Sequence, residues 1–176
     1  MKEYNLTEAE RLILFNQYSI LSKLANDAGD KDTADIYETY KTILLDGYKY
    51  DYSQLFEIFG DELSETKSKF VWDVLELYRA IYDKVHTLSP EKRKQYSEYK
   101  LKFRGFDGNE EIEYYSYCKF IIQDLGRYAE IYENGKNELN SHCNIINYYN
   151  KLLEIWMNAG KPYELSDDLF DDLMKA

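Results

Sequence analysis

Asp83 and His86 stand three residues apart, a spacing that places a carboxylate and an imidazole on one helical face, while His142 follows Glu138 by four and adjoins Cys143. These are the residues that could hold a metal. A carboxylate-bridged di-iron bundle needs a second acid-x-x-His pair and two more inward glutamates, and the sequence has no such second pair. A cysteine-rich zinc centre is short of ligands as well. Cys143 near a helix start could be a thiolate, since a helix N-terminus lowers thiol pKa. Its neighbour His142 cannot face it on a helix, however. Cys118 falls in an apolar stripe, where a cysteine packs as a small hydrophobe. No glycine-rich phosphate loop occurs. The expectation is therefore no catalytic residue, no metal and no cofactor.

Two other groups of charged residues invite a reading. The tail SDDLFDDLM sets Asp167 with Asp171 and Asp168 with Asp172 at four-residue spacing. That geometry could hold a divalent cation, but acids in a first turn also complement the helix dipole, and a solvated acidic face is the preferred reading. Arg11, Arg79, Arg104 and Arg127 sit in or beside apolar segments. In an acidic chain such arginines are expected to be satisfied by carboxylates within the fold or across an interface, with Arg11 and Arg127 held by carboxylates or carbonyls in a structural network and a ligand-anion pocket as the lesser alternative. Lys67 and Lys69 follow a short helix that ends at Gly60, an order similar to a helix-turn-helix. The intervening turn is too long for that motif, and Phe56 is bulky where small residues are needed.

The composition narrows the function. At 176 residues one domain is the default, and two prolines and eight glycines leave little for linkers. Thirty-three acids against twenty-two bases give a net charge of −11, which disfavours binding to a phosphate backbone. The longest apolar run, Leu12 to Phe15, is far short of the roughly 20 residues that span a bilayer. No apolar segment follows Lys2, so no secretory signal is expected, and two isolated cysteines suit a reducing compartment. The expected location is the cytoplasm. Nineteen tyrosines suit half-buried positions and subunit interfaces, although a biased composition explains them too.

Helices must position all of these residues. Thr7 and Glu10 form a capping-box pattern that opens the first helix. It carries Leu12, Phe15, Ile20, Leu21 and Leu24, with Ile13 and Leu14 widening the apolar face, so burial on more than one side is expected. Asp32 opens a second helix that Gly47 closes. A short helix follows Asp51. Ser64 caps the longest segment, through Phe70, Val74, Leu75, Tyr78, Ile81 and Val85 to Ser89-Pro90. Pro90 starts a polar helix carrying Tyr96, Tyr99, Leu101 and Phe103. Asp107, with Glu110 as box partner, is expected to cap a helix that buries Tyr114, Tyr117, Cys118, Ile121, Ile122 and Leu125. Asn134-Gly135 reads as a turn. A helix is expected from Ser141 to Ala159, and Ser166 caps the last one with Leu165 packing on Phe170. The expected fold is all-α, one compact domain over residues 1–176 with about seven or eight helices.

Three blocks resemble the YfbU family of bacterial proteins: AERLILFNQY near the start, LDGY at 45–48, and FRGFDGNEEIEYYSYCKFIIQDLGRY at 103–128. The resemblance implies a cytoplasmic helical protein and supplies no catalytic residue. It draws attention to the polar members of those blocks, Arg11, Asn16, Gln17, Asp107, Arg127 and Tyr128, as a structural or ligand-binding cluster joining the first helix to the loop before Tyr114. The leading functional reading is a non-enzymatic protein that self-associates as a dimer or higher homo-oligomer and acts through protein contacts, with tyrosine-rich faces as the interface. A protein partner is compatible with it; nucleic acid and membrane are disfavoured. The alternative is a nucleic-acid-associated regulator using the Gly60 to Lys69 segment, and the third reading is a small-molecule or metal-dependent enzyme.

Overall fold

The computed structural model describes residues 3–132 and 138–176, so the Asn134-Gly135 turn lies outside the described residues. The fold is all-α. Among the described residues there is no strand, only one isolated parallel bridge between Phe106 and Asn140. No described helix is long and apolar enough to cross a membrane. The chain divides into two compact units, Met1–Glu62 and Leu63–Ala176.

The first unit is a helical hairpin followed by a short 3-10 helix. Helix α1, Glu8–Asp27, starts with a complete capping box: the Thr7 hydroxyl accepts from the Glu10 amide and the Glu10 carboxylate accepts from the Thr7 amide. Helix α2, Lys31–Asp46, is capped by Asp30, whose carboxylate accepts from the Thr33 amide. The cap thus lies two residues before the expected Asp32, because Gly29 ends α1 and leaves a link of only Ala28 to Asp30. A link that short makes the helices antiparallel neighbours. Gly47 closes α2 at φ 72°. Tyr52 and Leu55, on the 3-10 helix Lys49–Phe56, complete a small core with Ile43 and Leu44. Tyr4 stacks on Phe56 at 4.3 Å between ring centres.

The second unit is built round α3, Glu65–Thr87, which Ser64 caps. Val71, Val74, Leu75, Leu77, Tyr78, Ala80, Ile81 and Val85 are all buried, so this helix is enclosed on most of its circumference. The polar helix expected after Ser89-Pro90 breaks into two short ones, α4 (Pro90–Arg93) and α5 (Glu98–Leu101). Helix α6, Ile112–Lys119, widens at its end into a π-helical turn, Phe120–Asp124. Cys118, Ile121 and Ile122 are buried there, but Leu125 is exposed. Helices α7, Ile146–Asn158, and α8, Asp167–Lys175, pack with α3 into one core. Ser166 caps α8, and Leu165 and Phe170 are both buried.

Helix α7 begins five residues later than expected, because Ser141 is used elsewhere. Residues 104–111 and 138–146 are laced together as two loops: the Phe106 amide donates to the Leu139 carbonyl and the Ser141 amide to the Phe106 carbonyl. The Gly108 amide reaches Asn140 Oδ1 at 3.1 Å, and the Tyr149 hydroxyl donates to the Gly105 carbonyl at 2.9 Å. Gly105 sits at φ 77°, and a Cβ there would lie 1.8 Å from the Leu139 carbonyl oxygen. No side chain fits.

Gly105→Ala is accordingly expected to cost about 3 kcal/mol or more, since it adds a backbone clash to left-handed strain. Gly29 has the same handedness with open space around it, so Gly29→Ala should cost only about 1 to 2 kcal/mol. Urea denaturation of both variants checks the order.

Candidate functional site

The six polar residues singled out by their motifs are divided between the two units, Arg11, Asn16 and Gln17 in the first and Asp107, Arg127 and Tyr128 in the second. In the first unit, Arg11 lies on the inner side of α1, where its Nε donates to the Leu44 carbonyl at 2.8 Å and its Nη2 to the Leu45 carbonyl at 2.9 Å. Those carbonyls belong to the last turn of α2, where backbone acceptors lack intrahelical partners and the helix dipole favours a cation. Arg11 is a C-terminal cap supplied from another helix. Asn16 and Gln17 are exposed. At 3.6 residues per turn, Asn16 stands about 140° round the axis from Arg11 and Gln17 about 120°, so they share no face with it.

In the second unit, Asp107 is buried and its carboxylate accepts from the Asn109 amide at 2.8 Å, with a longer contact of 3.4 Å to Glu110. The reciprocal partner is Glu111 rather than the expected Glu110: the Asp107 amide donates to Glu111 Oε2 at 2.9 Å. Asp107 therefore shapes the turn before α6 instead of capping it. The other oxygen of Glu111 accepts from the Ile145 and Ile146 amides at 2.8 and 3.0 Å. Helix α7 has no cap of its own, and this buried carboxylate supplies one from 34 residues away. Periodicity does not reveal Glu111, because acceptors for backbone amides leave no pattern in the sequence.

Tyr128 is buried at φ 57° and its hydroxyl donates to Glu76. Burial and then the Glu76 carboxylate push its hydroxyl pKa well up, so it stays protonated. The Arg79 guanidinium covers its ring at 4.1 Å and pairs with Glu130 at 2.6 Å. Arg127 is different. It is exposed, stands 5.3 Å over the Trp72 ring, and pairs with no carboxylate among the described residues, so an ion-pair partner within the described fold is not found for it.

The candidate chemical groups are dispersed. His86 Nδ1 faces the Tyr82 carbonyl at 2.8 Å and Asp83 accepts from the Tyr163 hydroxyl. His142 lies 3.4 Å from Glu138 at the surface. Cys118 is buried, which raises its thiol pKa. Among the described residues no three His, Cys, Asp or Glu side chains gather as a metal site. The tail acids are divided too: Lys84 and Lys92 hold Asp167 down to about 2, Asp171 accepts from Tyr96, and Asp172 pairs with Lys175. That lowered pKa makes the Asp167 pairing whole above about pH 4 and lost as the pH falls through about 2. Lys67 is tied to Glu113 and Lys69 to Asp73, so both lysines of the proposed nucleic-acid segment are engaged by carboxylates. Lys69, Asp73 and Lys161 border a groove of about 710 Å³ floored by Phe70, Leu153 and Met157. Burial opposes the Asp73 charge, but Lys161 and Lys69 outweigh it and keep the carboxyl below its ordinary range.

The largest departure from expectation is the outer face of α1. Leu12 and Ile20 are 61% exposed, Leu24 58%, Ile13 56% and Leu21 39%, and the buried residue of the helix is Ser22. A helix in a hairpin has one neighbour, so only Leu14, Phe15 and Tyr18 on its inner side meet the core. Asn16 and Gln17 lie in the middle of this aliphatic surface. The tyrosines are placed the other way. Tyr52, Tyr78, Tyr128 and Tyr149 are buried, and only Tyr48, Tyr50, Tyr99 and Tyr163 are exposed. The exposed face of α1 is therefore aliphatic rather than tyrosine-rich.

Removing each polar group should rank them by role. Glu111→Ala strands three amides and is expected to cost about 3 kcal/mol or more, at roughly 1 to 3 per orphaned buried donor. Asp107→Ala should cost about 1 to 2, as for a lost cap, and Arg127→Ala under about 1, as for an exposed cation over a ring. Chemical denaturation of the three variants tests that order, and a large loss for Arg127→Ala would refute it.

Comparison with known proteins agrees with the three sequence blocks. A family model described as the YfbU domain matches residues 4–176, a span that runs through both units. The chain is also 32% identical over 174 residues to UPF0304 protein MJECS11 of Methanocaldococcus jannaschii, an alignment that covers 97% of this chain and 99% of that protein. With both the capped α1 helix and the 103–128 block inside the matched region, the chain belongs to the YfbU family.

Proposed function

We propose that this protein acts through protein contacts rather than through chemistry of its own, and that it self-associates by the outer face of α1. The observation that carries the proposal is the exposure of Leu12, Ile13, Ile20, Leu21 and Leu24 on one helix. Large contiguous apolar patches on a soluble surface mark interaction sites, whereas isolated exposed aliphatics do not. The chain carries a net charge of −11, so two copies repel each other in general. They approach at least cost where carboxylates are sparse. Ala9, Leu12, Ile13, Asn16, Gln17, Ile20, Leu21 and Leu24 are all uncharged, which makes this face suited to a second copy of the chain. Helix α1 also needs the cover: with a single small core beside it, the first unit buries little apolar surface for its length.

Light scattering coupled to gel filtration, at tens of micromolar protein, is expected to give at least twice the 21.0 kDa chain mass. Ile20→Glu should return it to a monomer with its helical circular dichroism intact. A monomeric parent would overturn the proposal.

A further inference from the structure

Resting on that self-association, we infer that two copies pair through α1 in antiparallel fashion, about a two-fold axis passing between Asn16 and Gln17. The face reads the same in both directions. Leu12-Ile13, then Asn16-Gln17, then Ile20-Leu21 form the pattern L-I-x-x-N-Q-x-x-I-L, and all six are exposed while the intervening Leu14, Phe15, Tyr18 and Ser19 are not. An isologous interface requires that if residue i meets residue j, then j meets i. A helix whose face is palindromic meets that requirement when it runs against its own copy. Leu12 then shares a level with Leu21 of the second copy, Ile13 with Ile20, and Ala9 with Leu24, so a small residue stands beside a large one.

The centre of the face gives the register. Asn16 and Gln17 from both copies form one layer of four amides, each able to donate and accept, so the layer can satisfy itself. A slip of one helical turn would set amides against isoleucines and leave them without partners. Polar residues in an otherwise apolar helix seam fix register in this way at some expense of affinity. The flanking charges select the direction. Glu10 and Lys23 lie at opposite ends and edges of the face, so the antiparallel arrangement brings Glu10 level with Lys23 of the second copy. A parallel arrangement brings Glu10 level with Glu10 and Lys23 with Lys23.

Cysteine cross-linking in full-length protein separates these arrangements, with the exposed Cys143 changed to Ser and the buried Cys118 kept. Ala9→Cys and Leu24→Cys are each expected to stay uncrosslinked alone under mild oxidation, and to form a disulfide dimer when the two variants are co-expressed. Along the axis, two copies of Leu24 stand about 22 Å apart in the antiparallel pair at 1.5 Å rise per residue, well beyond disulfide reach. Ile13→Cys with Ile20→Cys gives a second heterotypic pair if the first disturbs folding. A monomeric parent by light scattering overturns both the self-association and this geometry. A dimeric parent in which Leu24→Cys cross-links with itself, or in which neither mixture cross-links, overturns the geometry and leaves self-association standing.

Discussion

Three backbone amides in the second unit, those of Asp107, Ile145 and Ile146, converge on the single carboxylate of Glu111. An ionised acceptor suits the start of α7, where amides are unpaired and the helix dipole is positive. The same carboxylate ties that start to the turn before α6. Much of the unit depends on the joint. The 104–111 and 138–146 loops can lie backbone to backbone because Gly105 has no side chain, and Tyr149 reaches back from α7 to the Gly105 carbonyl. Phe106, stacked on Tyr114 and edge-to-face with Tyr149, then joins α6 and α7 to the core of α3.

The first unit is governed by a geometric limit. Two helices and one short 3-10 turn can enclose only the side of α1 that faces α2, and Arg11 and Ser22 use that side for polar contacts as well. Ser22 donates to Glu38 at 2.6 Å beside the small Ala34, which permits close approach of the hairpin arms but contributes little apolar burial. The aliphatic side chains that remain are left outside. The two units thus stand in contrast: one hides its aromatic residues behind a loop clasp, and the other presents aliphatic residues on a rigid capped helix.

Which parts were legible in the sequence follows from the range of the forces concerned. Caps act within one turn, so Thr7 with Glu10, Gly47, Ser64 and Ser166 could all be placed from neighbouring residues. Helix α3 was legible because nearly its whole apolar set is buried. In α1 periodicity identified the apolar residues but could not say whether a neighbour existed to cover them. The role of Glu111 was hidden because its partners are backbone amides 34 and 35 positions away. Ser141 is similar: its position suggested the start of a helix, yet its amide donates to the Phe106 carbonyl and its hydroxyl to the Cys143 carbonyl. Arg127 misled in the opposite sense, since its setting suggested an ion pair and Trp72 supplies a ring face instead.

The last helix is attached in two layers of different character. Phe170, Leu173 and Met174 are buried in the core, while outside them Lys84 and Lys92 hold Asp167, Tyr96 holds Asp171, and Lys100 donates to the Met174 carbonyl. Dissolved ions weaken exposed charge pairs as the screening length shortens to about 3 Å at molar ionic strength, whereas apolar burial is not weakened in this way. Concentrated salt therefore acts unequally on the two layers that attach α8. It weakens the Lys84 and Lys92 pairs to Asp167 and leaves the apolar seat of the helix intact.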